Sequence, residues 1–523
     1  MPADHPPTGQ QQQQQQQRRQ QQQGLGPVLA GATPLPAPAA AAAAGGSSSG
    51  PQHVFVNGHI WTANPEGFVD PHVHLIFGGL SLSQINLRGA SSRQEVAARV
   101  AAAAAAAADG AWLLGGGWSE ADWGGGLPDA SWLDEMQREW IRTQSLAGPQ
   151  AYSDAAGVEK DPATGQPTGL LREHAMVAMR GIIPSPSLQE RKAALAAAAR
   201  YLLSRGVTAV GDMGWGVFGA AEETWTDLEE VYDAAAAAGE LPIRVSSYVP
   251  LRSWQRAAQR LASNGSHHAS GRLIWGGVKD FADGSLGSST ALFWRPYSDD
   301  VSGSTTGMRL IEVEELQQLV QGAAGAGLQH LISDRSMLLR KLGAERAGPG
   351  RSHAYRTLAS MGVSIGFASD WPIVEVDPLA SVYASVFRKA PPQAHQDKQV
   401  SAGQQGSSSS TEPQPPAPPE EQPWAPEEAM PLEVALQLHT ATAATVARLD
   451  RWAGQLKAGL RDDFVVLDRS PFEGMDEDGG GGFAAGVPRV VKTYVDGRCA
   501  FGCDDGDVAG DVQAAAAAVA DSR

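Results

Sequence analysis

Apolar positions follow no period through the first fifty residues, and the pattern begins at His53. In "HVFVNGHIWTA" apolar and polar residues alternate about Asn57-Gly58, the spacing of a β-hairpin with a two-residue turn. "GFVDPHVHLI" follows almost at once. Short apolar runs then alternate with stretches of helical period. "AWLLGGGW" (111–118) reads as a strand, and "LQERKAALAAAARYLLSRG" as a helix ending at Gly206. "VTAVGDMG" is a strand, "DLEEVYDAAAAAGEL" a helix and "IRVSSYVP" a strand. "RLIWGGVKDFADGSLG" is a strand running into a loop, "VEELQQLVQGAAGAG" a helix and "SIGFASDWP" a strand. Strands that are apolar throughout and alternate with helices predict a parallel α/β fold. Size and loop chemistry favour a (β/α)8 barrel over an open sheet.

Later segments depart from this alternation. "PLEVALQLHTATAATVARL" reads as one helix, and "GQLKAGLRDDFVVLD" and "RVVKTYVDGRCAF" as strands that could pair with the hairpin at 53–63. The expected organisation is a disordered Gln/Ala-rich arm at 1–50, a β-module strip at 53–64 and a barrel at 65–450. The rest of the β-module follows at 451–501 and a disordered tail at 502–523. Glutamine, alanine, proline and serine dominate 1–50, and 391–428 is a second low-complexity stretch inserted in the barrel. Such compositions bury too little surface to offset the entropy of ordering.

Composition excludes several classes. A net charge of −17 argues against a nucleic-acid-binding surface. No run of eighteen apolar residues lacks interruptions, so no membrane span is expected, and the N-terminus has no apolar signal core. Two cysteines, Cys499 and Cys503, predict no disulfide framework and fit a reducing, cytoplasmic compartment.

Three strand ends carry chemistry. His72 and His74 are two residues apart, so both imidazoles point to one side of a strand and can share one metal ion; Asp70 shares that side and could orient a ligand. The competing use is two hydrogen-bonded histidines at a half-buried strand end. Lys279 ends an apolar strand, either snorkelling to Asp280 or Asp283, or serving as a carbamylated, anionic metal ligand. Asp370 ends another apolar strand, where a carboxylate can bind a metal and take a proton from water, or Ser369-Asp370 can cap a helix. A glycoside hydrolase would need two carboxylates at defined separation, whereas these strand ends carry histidine and lysine.

In this order the blocks "GFVDPHVHLIFGGLSLSQINLRG", "WLLGGGWSEADWGGGLPDASWLDE", "QPTGLLREHAM", "RGVTAVGDMG", "GGVKDFADGSLGSSTALF" and "FASDWPIVEVDPL" resemble the amidohydrolase superfamily, in its amidohydrolase 3 (YtcJ-like) branch. "GQLKAGLRDDFVVLD" and "TYVDGR" resemble its closing strands. The resemblance covers most of 53–501 outside the insertion. It implies a TIM barrel with a β-sandwich built from both chain ends, one or two divalent metals, usually zinc, and hydrolysis of an amide or related C–N bond in a small molecule. It further implies that His72 and His74 are first-strand ligands, Lys279 the carbamylated fourth-strand lysine, and Asp370 the eighth-strand aspartate that binds metal and moves the proton.

The chain departs from that pattern in its second half. The family's histidines after the fifth and sixth strands have no clean counterpart. His330 lies in "GLQHLISDR", which fits a later family stretch better, and His353 lies in a polar loop. A barrel uses roughly 31 residues per unit, so the four units from Lys279 to Asp370 call for roughly 125; the interval is 91 positions. A barrel incomplete around strands five and six is therefore expected. Two further contractions occur at "ANPEGFVD" and "DEMQREWIRTQSLAGPQAY". Two functional readings follow: a metal-dependent hydrolase, of which this chain is a shortened or incomplete copy, or a non-catalytic barrel serving interaction or regulation. Trp112, Trp118, Trp123 and Trp132 either wall a pocket for an apolar substrate or serve loop and core packing.

Overall fold

Four strands run parallel and neighbour one another in chain order: β1 (Phe68–Val73), β2 (Val207–Asp212), β3 (Arg244–Pro250) and β4 (Leu273–Lys279). The computed structural model describes residues 67–107, 111–128, 132, 158–161, 163–165, 167–171, 183–215, 221–300, 303–313, 315–316, 335–348, 351–392, 423–457, 460–475 and 482–503. Every residue of β2 is buried, and so is β1 apart from His72, as expected of parallel strands covered on both faces. Register runs from Val69↔Ala209 to Val73↔Asp212, from Ala209↔Arg244 to Asp212↔Ser247, and from Val245↔Leu273 to Pro250↔Lys279. Parallel pairing in this register puts the ends of all four strands on one rim, where His72, His74 and Lys279 lie.

Helix α1 (Leu75–Ser81) leaves β1 directly and packs against α2 (Leu188–Ser204). The two backbones approach so closely that a Cβ on Gly79 would lie 2.1 Å from the Ala194 carbonyl oxygen, so only glycine fits there. A reciprocal capping box starts α2: the Ser187 hydroxyl accepts from Glu190 N, and the Glu190 carboxylate accepts from Ser187 N. The helical stretch predicted from Asp227 runs from Ala221 to Ala238 with a π turn at Asp227–Tyr232.

Three sequence expectations are corrected here. "AWLLGGGW" contributes only Gly115–Gly116, paired with Ile85–Asn86 outside the main sheet, and β2 takes the place beside β1. Glycine offers no side chain to pack, and Gly117 at φ +85° ends the extended run. "SIGFASDWP" lies beside β1, opposite β2, but is not a regular strand. Asp370 N donates to His72 O and His74 N to Trp371 O, and the single bridge is Val73↔Trp371; the left-handed backbone of Asp370 breaks the run. The single helix expected after the insertion is two helices, Leu432–Gln437 and Ala441–Val446. Non-helical Thr440 divides them, which frees the carbonyls of Leu438 and His439 to accept from Phe367 N and Val69 N.

The parallel α/β sheet is as predicted, and among the described residues no further strands close it into a barrel. Most of the helix expected from Val313 lies outside those residues, as does the hairpin at 53–63 with its half of the β-sandwich. So do the arm at 1–50, the insertion between 393 and 422, and the tail beyond 503. The late strands form an antiparallel sheet of β5 (Phe464–Leu467), β6 (Val490–Val495) and β7 (Arg498–Phe501), with β6 central. Contrary to the composition-based reading, Cys499 and Cys503 are joined in a disulfide. Gly502 turns the chain back at the end of β7 and brings the two Cα atoms to 5.7 Å. No helix among the described residues is long and apolar enough to cross a membrane.

A buried ion pair joins the small sheet to the large one. Arg244, the first residue of β3, is 0% exposed; its Nε donates to Asp463 Oδ2 at 2.9 Å and its Nη2 to Asp463 Oδ1 at 2.6 Å. Nη2 also donates to Asp496 Oδ1, and the Asp463 carbonyl accepts from Gly67 N at the entry to β1. Removing one partner of such a pair strands the other charge in a dry interior. Asp463→Ala is expected to lower the unfolding free energy by about 3–5 kcal/mol in a denaturant titration. A loss below about 1 kcal/mol, the range of an exposed pair, would show that the contact does not hold the two sheets together.

Candidate metal centre

Strand alternation places His72 and His74 on the same side of the β1 end, with His74 2% exposed. The Nε2 atom of each lies 3.3 Å from Asp370 Oδ1. The three donor atoms lie within 4.8 Å of one another, and this is the one convergent group of three or more His, Cys, Asp or Glu side chains among the described residues. Asp370 reaches the centre through a left-handed backbone, φ +55°. The alternative role for Ser369-Asp370, capping a helix, does not hold. The next helix starts at Pro378, and its cap is Asp377, which accepts from Ala380 N at 2.9 Å.

His74 and the loop carrying Asp370 are held from behind. His74 Nδ1 is 2.5 Å from the Gly214 carbonyl oxygen, which can only accept, so Nδ1 carries a hydrogen and Nε2 faces the centre. Gly214 is in turn fixed by Asp212, whose Oδ1 accepts from Gly214 N at 3.1 Å and from Leu75 N at 2.9 Å. Its Oδ2 accepts from the Tyr232 hydroxyl at 2.9 Å. Burial holds the Asp212 carboxyl above the usual carboxylate range despite these bonds. Asp212 and Gly214 have no role legible in the sequence beyond the strand-end "GDMG".

Asp70 does not orient an imidazole, contrary to the expectation. It accepts from Ser369 Oγ at 2.5 Å, from Ser369 N at 3.1 Å and from His72 N at 3.3 Å, so it ties β1 to the loop that carries Asp370. Burial pushes its carboxyl up to about 7, against the lowering effect of those hydrogen bonds. Trp371 completes the support: its ring lies where a Cβ on Gly78 would sit, 2.2 Å away, and stacks on Tyr201.

Lys279 reaches the same centre from β4, with Nζ 3.4 Å from His72 Nε2 and 4.4 Å from the Phe281 ring centroid. It does not snorkel to Asp280 or Asp283. Asp280 accepts from Phe281 N and lies near Arg252, while Asp283 accepts from Leu292 N. Burial lowers the Lys279 pKa, against the attraction of Asp370 and Asp280. Burial likewise lowers that of His72, favouring the neutral ring. His330 lies outside the described residues. His353 is not at the centre: its ring packs between Tyr355 and Trp424, and its Nδ1 is 2.9 Å from Ser352 Oγ.

A carboxylate oxygen thus lies 3.3 Å from two imidazole nitrogens, an arrangement favoured by positive charge at the centre, carried by a ring or by a cation. Two imidazole nitrogens and one carboxylate oxygen are also donors that suit a divalent cation of the zinc type.

The sequence model of the Amidohydrolase family matches residues 67–333 and 319–501, and the chain belongs to that family, in its amidohydrolase 3 branch. It is 30% identical over 510 aligned residues to Protein LONG AFTER FAR-RED 3 of Arabidopsis thaliana, covering 83% of this chain and 81% of the relative. It is 25% identical over 483 to the putative amidohydrolase YtcJ of Bacillus subtilis (strain 168), covering 78% and 84%. Among solved structures, an uncharacterized metal-dependent hydrolase from Pyrococcus horikoshii OT3 matches with TM-score 0.53 at 21% identity, over 78% of this chain and 86% of that one. This likeness concerns the fold.

Because Asp70 ties β1 to the loop carrying Asp370, Asp70→Ala is expected to lower zinc affinity at this candidate site about 10–100-fold, the usual effect of removing a supporting partner. Titration against a chromogenic chelator measures it. Unchanged affinity would show that β1 and the Asp370 loop keep their spacing without Asp70.

Proposed function

We propose that this chain is a hydrolase that cleaves a non-peptide, amide-type carbon–nitrogen bond in a small molecule, with water activated at a divalent metal, zinc by its donor set. The observation that carries the reading is the convergence of His72 Nε2, His74 Nε2 and Asp370 Oδ1 on one point. These three would hold the ion, which supplies Lewis acidity toward water and the substrate carbonyl. Asp370, with Oδ1 at the centre, accepts the proton from the attacking water and returns it to the leaving nitrogen. The bond from His74 Nδ1 to the Gly214 carbonyl orients the ring so that Nε2 faces the centre. Lys279 acts through its amine: burial raises the fraction that is neutral, the form that adds carbon dioxide, and the resulting carbamate brings an anionic oxygen to the centre.

A second reading has specific support. Residues 319–333 are claimed by both family matches, once as the continuation of the first half and once as the start of the second. The alignment with the Arabidopsis relative spans 510 positions, whereas 83% of this chain's 523 residues is about 434, so about 76 positions face a gap in this chain. The overlap favours a barrel shortened between Lys279 and Asp370, where the family's remaining histidines belong, and the gap total fits a chain shorter than its relative. A chain so shortened serves interaction or regulation without catalysis.

Metal content separates the two. Purified full-length chain is expected to carry about one zinc or more by elemental analysis, and the double substitution His72→Ala with His74→Ala to remove it without unfolding the protein. Metal-free, folded wild-type chain that takes up no zinc on addition would overturn the hydrolase. For Lys279, bicarbonate is expected to raise turnover of the wild type, and Lys279→Ala to abolish the turnover. Full activity in that variant would remove the carbamate from the mechanism.

A further inference from the structure

One peptide group carries the hydrogen bond that orients His74. The Gly214 carbonyl oxygen meets His74 Nδ1 at 2.5 Å, and the nitrogen of the same peptide belongs to Trp215. A trans peptide is planar, so its C=O and N–H point in opposite directions and turn together. Whatever holds the Trp215 N–H therefore also aims the Gly214 carbonyl.

That N–H donates to Thr224 Oγ1 at 3.2 Å. Thr224 is 3% exposed and lies in the helical segment Ala221–Thr226. Imidazole and hydroxyl thus grip opposite edges of one peptide. The fit around the turn is close. Gly214 has a left-handed φ of +65°, and a Cβ there would lie 2.6 Å from Thr224 Oγ1 and 2.5 Å from Thr224 Cγ2.

The groups on either side of this peptide are anchored separately. Gly214 N donates to Asp212 Oδ1. The Trp215 Nε1–H donates to Asp227 Oδ2 at 2.5 Å, and Asp227 Oδ1 accepts from Arg191 Nη1 at 2.8 Å. The Arg191 guanidinium lies 5.0 Å from the Trp215 ring centroid. Arg191 belongs to α2, and Asp227 opens the π turn whose last residue, Tyr232, donates to Asp212. With both flanks fixed, the freedom that remains is rotation of the Gly214–Trp215 peptide about its own long axis. Glycine on one side offers little steric resistance to that rotation. The hydrogen bond to Thr224 opposes it.

We propose that Thr224 is a positioning residue for His74. By holding the Trp215 N–H it keeps the Gly214 carbonyl on Nδ1, and so keeps Nε2 turned to the His72–His74–Asp370 centre. The role belongs to the hydroxyl and not to the volume of the side chain. Its consequence for metal binding rests on the metal-dependent reading above; the hydrogen bond to His74 does not.

Two readouts on the full-length chain test it. In metal-free protein carrying isotope-labelled histidine, the buried His74 Nδ1–H is expected to give a slowly exchanging NMR signal, assigned by its loss in His74→Ala. Thr224→Val, which replaces only the hydroxyl by a methyl, is expected to lose that signal to exchange with water, and Thr224→Ser to keep it. Zinc affinity, titrated against a chromogenic chelator, is expected to fall about 10–100-fold in Thr224→Val, the range for a lost support behind a ligand, and to stay near the wild-type value in Thr224→Ser. If Thr224→Val does not fold, Thr224→Ala also lacks the hydroxyl and carries the same expectations. A His74 signal that survives removal of the hydroxyl, or is missing from the wild type, would overturn the proposal. Equal losses in Thr224→Ser and Thr224→Val would overturn it too, by assigning the effect to packing. Where signal and affinity disagree, the signal decides. A wild type that binds no zinc would defeat the metal-dependent reading alone, and the histidine signal would still decide the role of Thr224.

Discussion

A carboxylate oxygen held 3.3 Å from two imidazole nitrogens is the constraint around which this structure is arranged. With His74 committed to a hydrogen bond through Nδ1, its other nitrogen faces Asp370. Positive charge at the centre favours that arrangement. The surroundings hold the groups in place. Asp70 and Ser369 fasten the Asp370 loop to β1, Asp212 fastens Gly214, and Trp371 fills the space left by Gly78. The donor set invites a divalent cation and is held in place by groups that do not touch it.

Parallel register does the coarse positioning. Because β1 to β4 are aligned end to end, residues far apart in sequence, His72 and Lys279, share one rim and come within 3.4 Å. Regularity then gives way where the chemistry is placed. The extended segment carrying Asp370 turns through a left-handed residue, and the helix behind it splits at Thr440 so that its carbonyls can serve β1 and Phe367. The Arg244–Asp463 pair ties the base of the large sheet to the C-terminal one. The active rim is thus irregular while the core beneath it is sealed.

Family membership and the shortened stretch belong to one account. The candidate donors His72, His74 and Asp370, and Lys279 beside them, come from segments that resemble the first, last and fourth strand positions of the family pattern. The double claim on 319–333 falls between them. Two imidazoles and a carboxylate are fewer donors than the four usual in closed zinc sites, so an ion held there would keep positions open to other donors.

Much of this was legible in the residues themselves. Apolar runs of strand length and the capping box at Ser187 are local signals, so β1 to β4 and the helix before β2 could be read directly. The His-x-His spacing puts two nitrogens on one side of any strand, whatever surrounds it. Other features depend on partners distant in sequence and could not be read so. Whether Asp370 caps a helix or faces His72 and His74 was decided by Asp70, some three hundred residues earlier, which holds its loop against β1. Whether Lys279 pairs with Asp280 or turns inward was decided by packing against His72. Gly115–Gly116 failed to become a core strand because nothing in it could be buried, and Asp212 gained its role only through the position of His74. The sequence by itself determined which strands and which donor types exist. The tertiary structure decided which donors meet, because convergence within 4.8 Å depends on how separate segments pack and not on any one of them.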